Sequence, residues 1–297
     1  MTAPDPLAVI GEVRRACLAV DGHDPVDESV HLRLKHHGLD DTSSWVEGDG
    51  FALRHEHQVD LAVAPDARGQ GLGGRLATLA TAEPGELTAW SHGDHPAARA
   101  IAARLGFVRS REMWVMRRPN TVPMDHPRAL PPGVKIRAYD GPSDDRAILA
   151  VNAAAFAGHP EQGAMSATDL AERMAEPWFD PAGLLLAVDA DGELLGFHWT
   201  KQHDREHGEV YVVGVSPAAH GQGLGRALTI AGVRHLASRR TAEVHLFVES
   251  DNEPALRLYS GLGFTHAEID THVQYHRSSH ESRPSQETPA PRYDRPL

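Results

Sequence analysis

Cysteine is almost missing from this sequence. Cys17 is the single thiol in 297 residues, which excludes an internal disulfide framework and any zinc centre built on cysteine clusters. No apolar run approaches the ~18 residues of a membrane-spanning helix. Met1–Leu7 carries Asp5 and two prolines and no basic stretch, so no secretory signal is expected. Positive charge is scarce as well: 29 Lys and Arg stand against 41 Asp and Glu, a net charge of −12. Such a chain is repelled by nucleic acid and by anionic lipid unless it segregates a basic face, and no such face is evident. Aromatic residues are few at 6%, yet hydrophobic residues at 41% are too many for a disordered chain. The expectation is a cytoplasmic, monomeric protein of two domains, at about 150 residues each.

Two stretches differ in composition from the rest. Pro119–Gly133 holds five prolines, which remove backbone donors and forbid a continuous helix, so it reads as an interdomain linker. Arg277–Leu297 is rich in Ser, Pro and charge and has little to bury, and reads as a disordered tail.

On either side of the proline segment the chain repeats itself. LAVAPDARGQGLG (Leu61–Gly73) returns as VGVSPAAHGQGLG (Val213–Gly225), and RLGF (Arg104–Phe107) returns as GLGF (Gly261–Phe264). A repeat of half the chain means duplicated domains, spanning 1–118 and 134–276, rather than a solenoid. The second copy gives the clearer pattern. Leu184–Val188 and Leu194–Thr200 form a predicted hairpin about a DADG turn, and Glu209–Val215 a further strand. A helix follows over Gly223–Ala237, then a strand over Glu243–Val248. A second helix starts at Asn252 or Glu253, with Pro254 in its first turn, and runs past Tyr259 to Gly261; Phe264–Tyr275 closes the domain with strands. Hairpins followed by alternating strands and helices predict an α+β fold with a mixed, mostly antiparallel sheet flanked by helices.

Each repeated string reads as strand, proline, glycine-rich turn, helix. Glycines permit positive φ and leave backbone N–H groups free to converge on an anion at a helix N-terminus, and a pyrophosphate suits that arrangement. A dinucleotide fingerprint is the rival. Gly69–Gly74 satisfies GxGxxG, but the second copy has Arg226 in place of the third glycine, and neither copy opens a βαβ unit. No GK[ST] follows, so a P-loop is excluded. A plain tight turn without ligand is the bland alternative.

RGQGLG (Arg68–Gly73) fits (Q/R)xxGx(G/A), and with the two LGF segments it resembles the GCN5-related N-acetyltransferases. FAGHPEQG (Phe156–Gly163), WFDPAGL (Trp178–Leu184), GFHWTK (Gly196–Lys201), GEVYVVGV (Gly208–Val215) and VESDN (Val248–Asn252) are similar to a tandem-domain branch of that family. Members of that branch acetylate the cysteine amine of a cysteinyl-glucosaminyl-inositol thiol. The resemblance covers nearly all of residues 1–276. It implies two tandem acyltransferase domains, acetyl-CoA as co-substrate and a small thiol-sugar substrate; no metal is expected, because the residues offer no metal-ligand motif.

By the same resemblance Glu209 is general base and Tyr259 general acid. Acetyl-CoA contacts are implied at Val213, Gly214 and Val215, at His220, Gly221, Gln222, Gly223, Leu224, Gly225 and Arg226, and at Asn252, Glu253, Pro254, Ala255, Leu256 and Arg257. The first domain offers Leu61, Ala62 and Val63 with Arg68, Gly69, Gln70, Gly71, Leu72 and Gly73. Substrate contacts are implied at Glu28 (in DGHDPVDE), Glu161, Lys201, Glu209 and Phe247, with Glu28 placing the ligand between the domains. His220 departs from the Gln or Arg usual at the loop start. Aligning the two copies sets His57 opposite Glu209 and Ala102 opposite Tyr259, so the first domain is expected to hold acetyl-CoA without turning it over. His203 and His207 in HDREH do not fit HExxH and are assigned to a polar hairpin loop. Two alternatives stay open: a tandem acetyltransferase for another amine, such as an aminoglycoside or a peptide N-terminus, and a non-catalytic acetyl-CoA-binding protein.

Overall fold

The computed structural model describes residues 5–124, 129–158 and 162–279. Contacts group the chain into two compact units, one of residues up to Ser110 together with those from Val273 onward, the other Arg111–His272.

In the first unit α1 (Pro6–Asp21) and α2 (Glu28–His37) precede β1 (Ser43–Glu47), β2 (Gly50–His55) and β3 (Gln58–Val63), followed by α3 (Leu72–Ala80), β4 (Leu87–Ser91) and α4 (Pro96–Arg104). The three leading strands form an antiparallel meander. Alternation along the strands supplies two cores. Phe51, Leu53 and Ala62 pack with Ile10, Val13 and Cys17 of α1 and Val30 of α2. Ala52 and Val59 face the other way, onto Leu72 and Leu76 of α3 and Ala102 of α4. Cys17 is 1% exposed, a core residue whose thiol burial pushes up in pKa.

The second unit takes in residues 111–119 of β5 (Val108–Pro119), then β6 (Lys135–Ala138), α5 (Asp145–Ala155), α6 (Ala167–Met174), β7 (Leu184–Val188), β8 (Leu194–Gln202), β9 (His207–Val215), α7 (Leu224–Ser238), β10 (Glu243–Glu249), α8 (Glu253–Ser260) and most of β11 (Thr265–Arg277). β6 to β9 pair antiparallel in sequence order, β10 joins β9 in parallel, and β5 pairs antiparallel with β10. One face carries α5 and α6 over Leu184, Leu186, Phe197 and Trp199. The other carries α7 over Val210, Val244 and Leu246. The mixed, mostly antiparallel sheet between helices is the α+β architecture expected.

The unit boundaries differ from linear halves. Glu243–Glu249 of β10 pairs with Met113–Pro119 of β5, inside the second unit, while Val273–Arg277 of β11 pairs with β4 in the first. Pro119–Gly133 therefore begins on the last residue of β5, the first strand of the second unit. Its start is anchored there, with Asn120 donating to the Thr241 carbonyl and hydroxyl at 2.7 and 2.8 Å; residues 125–128 lie outside the described residues. Arg277, where the tail was expected to begin, still belongs to β11 and donates to the Thr81 carbonyl at 3.1 Å. The remainder of that segment from residue 280 lies outside the described residues.

Candidate active site

The repeated strings fold alike. Each strand, β3 or β9, ends in a short 3-10 turn, Pro65–Ala67 or Pro217–Ala219, that leads into a glycine pair and a helix. Gly69 and Gly71 have φ of 78° and 79°, and Gly221 and Gly223 have 76° and 79°, a region that penalises any residue with a Cβ. Gly71 and Gly223 start α3 and α7 with no side-chain cap, which leaves first-turn N–H groups for another acceptor. A Cβ at Gly221 or Gly223 would meet nothing within 4 Å, so the loop surface is open. His220 and Arg68 do the same local job. His220 Nε2 lies 3.1 Å from the Val215 carbonyl, and Arg68 Nε donates to the Val63 carbonyl at 3.0 Å. Arg68 is also held by Asp21 at 2.6 Å. The substitution at 220 thus preserves the anchoring of the loop to the strand end.

A second feature belongs to the sheet. β9 and β10 pair only through Glu243–His207, Val244–Gly208 and His245–Glu209, although β9 continues to Val215 and β10 to Glu249. Past Glu209 the strands part. A register shift opposite Trp199 and Thr200 skips Tyr211, and a bulge of this kind bends a strand and strengthens its twist. Val213, Gly214 and Val215 then pair with β8 alone among the described strands, so an extended chain of amides can add alongside them. β3 and β4 part in the same way, paired only at Gln58–Thr88.

Glu209 stands where β9 and β10 separate. Its cross-strand partners are Lys201 on β8 and His245 on β10, and directly paired residues share a face. Phe247, two residues beyond His245, emerges on that face too, 43% exposed. Its ring lies edge-on to His245 at 5.8 Å and to His272 at 5.6 Å. Lys201 Nζ sits 4.8 Å above the Trp178 ring and 5.2 Å from that of Tyr211, within cation–π reach. Three implied substrate contacts, Lys201, Glu209 and Phe247, are therefore brought onto one face. Glu28 opens α2 in the first unit, and Glu161 lies outside the described residues.

Glu209 is buried, 6% exposed. Its Oε2 lies 2.6 Å from His203 Nε2 and 3.8 Å from His245 Nε2. Burial raises its pKa, but the hydrogen bond from His203 and the positive charge of Lys201 outweigh that, and the net shift is downward. His245 goes the other way from an ordinary imidazole, pushed down to about 4 chiefly by burial, so it is neutral at pH 7. These two histidines were not foreseen as site residues. His203 lies in the loop read as merely polar, and His245 is one strand away in space but 36 positions away in sequence. The donor atoms of His203, Glu209 and His245 lie within 4.8 Å of one another. At 2.6 Å, however, His203 and Glu209 are joined by a direct hydrogen bond, closer than the roughly 3.3 Å separating adjacent ligands of a tetrahedral ion.

Tyr259 comes from the opposite layer. Its ring packs on the α7 side of the sheet, 5.9 Å from that of Phe264, and burial pushes its phenol up to about 12. Asn252–Arg257 forms the start of α8, where the Asn252 side chain accepts from Ala255 N at 3.2 Å. In the first unit His57 lies in the β2–β3 turn with Nδ1 3.2 Å from the Glu86 carbonyl, and Ala102 is buried in the core.

A family model described as "Acetyltransferase (GNAT) family" matches residues 153–264. A mycothiol acetyltransferase of Nocardioides sp. is 55% identical, over 93% of this chain and 99% of that protein. The mycothiol acetyltransferase of Actinosynnema mirum is 47% identical over 86% and 90%. The chain belongs to the mycothiol acetyltransferase family of GNAT enzymes. It is accordingly an N-acetyltransferase, of a family that draws acetyl groups from acetyl-CoA. Among solved structures, a GCN5-related N-acetyltransferase of Sphaerobacter thermophilus has a TM-score of 0.68 at 24% identity, over 93% of this chain and 94% of that one. A tandem GNAT protein from the clavulanic acid biosynthesis pathway has 0.64 at 18% identity, over 93% and 96%. These two establish the fold.

Proposed function

We propose that this protein transfers the acetyl group of acetyl-CoA to the cysteine amine of cysteinyl-glucosaminyl-inositol, giving mycothiol and CoA, and that the second unit does the chemistry. The observation that carries the reading is the position of Glu209: a buried carboxylate at the mouth of the gap between β9 and β10, on the strand that ends in the glycine loop. The diphosphate is held at Gly221–Gly225 by α7 N–H groups, and the pantetheine amides lie along Val213–Val215. A polyhydroxylated ligand is met by Lys201, with Phe247 supplying an apolar wall; Glu161 is a further contact by family resemblance. The acceptor is a small molecule, and the chemistry requires no metal.

Acetyl transfer needs a neutral amine, a polarised carbonyl and a protonated leaving group. An amide of Val213 or Val215 polarises the carbonyl. Glu209 belongs to the base, and Tyr259 is the acid. At about 12 the phenol stays protonated and donates to the departing sulfur. The first unit keeps the loop but lacks both groups, with His57 in a turn and Ala102 in the core, so it binds without turnover.

The test is incubation of the purified protein with acetyl-CoA and the cysteinyl pseudodisaccharide, with an aminoglycoside and a peptide as competing acceptors, and mass analysis of products. Acetylation of the cysteinyl amine at a kcat/KM well above the other amines is expected. Preference for another amine overturns the substrate, and no transfer to any of them overturns the enzyme reading.

A further inference from the structure

We propose that His203 is the base that takes the proton from the substrate ammonium, and that Glu209 acts through it as the buried carboxylate orienting the imidazole. The proposal rests on the acetyl-transfer reading and reassigns the proton within it.

The geometry is that of a carboxylate–imidazole pair. The Glu209 side chain is 8% exposed and that of His203 36%, with Nε2 and Oε2 2.6 Å apart. An ionised carboxylate only accepts, so Nε2 carries the hydrogen and the lone pair is on Nδ1. Nδ1 has no hydrogen-bond partner among the described residues. The imidazole is therefore held by one nitrogen, basic at the other, and in contact with solvent. A proton lost by the substrate must finally reach water, and His203 has the exposure for that while Glu209 does not.

Glu209 by itself is poorly placed on the energy scale. An α-ammonium titrates near ~8 and a carboxylate near ~4.3, a mismatch of more than three powers of ten, and the net shift at Glu209 widens it. Imidazole is the side chain whose charge change falls nearest neutrality. The groups around the pair come from each neighbouring strand: Lys201 on β8, His245 and Glu243 on β10, and Arg117 on β5. His245 stacks against His203 at 5.2 Å and 26°, and being neutral it does not oppose the charge that His203 acquires.

The step balances. The substrate R–NH3+ gives one proton to His203 Nδ1, directly or through one water. The free amine forms its N–C bond to the acetyl carbon, and the C–S bond breaks. The nitrogen releases its second proton, one proton reaches the sulfur to give CoA–SH, and His203 passes the other to solvent. Glu209 stays ionised and stabilises the imidazolium.

The test compares His203→Gln, His203→Ala and Glu209→Gln with the wild type in the full-length protein, each checked for a wild-type melt and acetyl-CoA affinity. His203→Gln keeps a donor for Glu209 but cannot take a proton. We expect it to lose about 10²–10⁴-fold in kcat at pH 7, with the deficit shrinking above pH 8 as the amine arrives neutral, and added imidazole to restore part of the activity of His203→Ala. A merely structural His203 gives neither the pH-dependent recovery nor the rescue, and that result overturns the proposal. So does a His203→Gln enzyme within threefold of wild type while Glu209→Gln is dead. A wild type that acetylates no amine removes the acetyl-transfer reading and this proposal with it; an active wild type with an indifferent His203→Gln removes this proposal alone.

Discussion

Tyr259 has a phenol raised to about 12, well above the ~8.5 of a thiol, so in the acid role proposed for it the contribution is a hydrogen bond to a developing thiolate rather than early proton release. Tyr259→Phe is expected to lower kcat by about 10²-fold and leave the KM for acetyl-CoA near its wild-type value; steady-state kinetics in both substrates checks it, and an unchanged kcat refutes the role. In the first unit one buried carboxylate adds a pH dependence of its own. Asp60 is 6% exposed, accepts from Gln58 Nε2 at 3.0 Å, and is pushed up to about 7 by burial and by Asp27. Because its folded pKa lies above the unfolded value, the folded state holds the proton longer, and Asp60 lowers stability as pH rises from about 4 to about 7. Asp60→Asn lacks this dependence. Its melting temperature relative to wild type is expected to climb over that window and level off above it, by several degrees in all; a flat difference between pH 4 and 8 contradicts the assignment.

At the scale of elements, the two strand–loop–helix repeats form a natural control for each other. Gly71 and Gly223 sit at the same φ of 79°, so any side chain at either costs a similar ~1–2 kcal/mol of backbone strain. Gly223→Glu also places a carboxylate in the loop proposed to hold the diphosphate, and like charges in a partly desolvated site repel. Activity is expected to vanish in Gly223→Glu and to persist largely in Gly71→Glu, with comparable losses in thermal stability. Turnover of the pair, after confirming cooperative melts, decides the matter: a dead Gly71→Glu beside an active Gly223→Glu assigns catalysis to the other half.

For the whole molecule, the strand pairings bear on where the chain can be cut. The boundary suggested by the proline-rich segment gives a fragment 134–276 that lacks residues 111–119, and thereby exposes the edge of β10 that β5 covers over seven residue pairs. An uncovered strand edge invites aggregation. A fragment beginning at Arg111 retains that strand. The expected outcome is a cooperative melt and a dispersed sample for 111–279, and aggregation or loss of cooperative unfolding for 134–276, followed by circular dichroism and light scattering. Equal behaviour of the two fragments would mean that β5 contributes little to the second unit.

Local chemistry in the sequence determined the repeated modules. The proline, the paired glycines and the apolar helix after them act within a few residues of one another, so the loops at Gly69–Gly73 and Gly221–Gly225 were legible, as were β7 to β10, α7 and α8, to within a residue or two. The α+β class followed from the order of those elements. Three things waited for the tertiary structure. The end of parallel pairing at His245 and Glu209 depends on the twist and bulge of whole strands, which no single segment encodes. The strand partners of residues 111–119 and 273–277 were hidden because pairing is chosen by burial and hydrogen bonding across more than a hundred residues of separation. His203 and His245 meet Glu209 only because β8, β9 and β10 are neighbours, and the charge state of that carboxylate is a balance between burial and partners that exists only once the chain is folded.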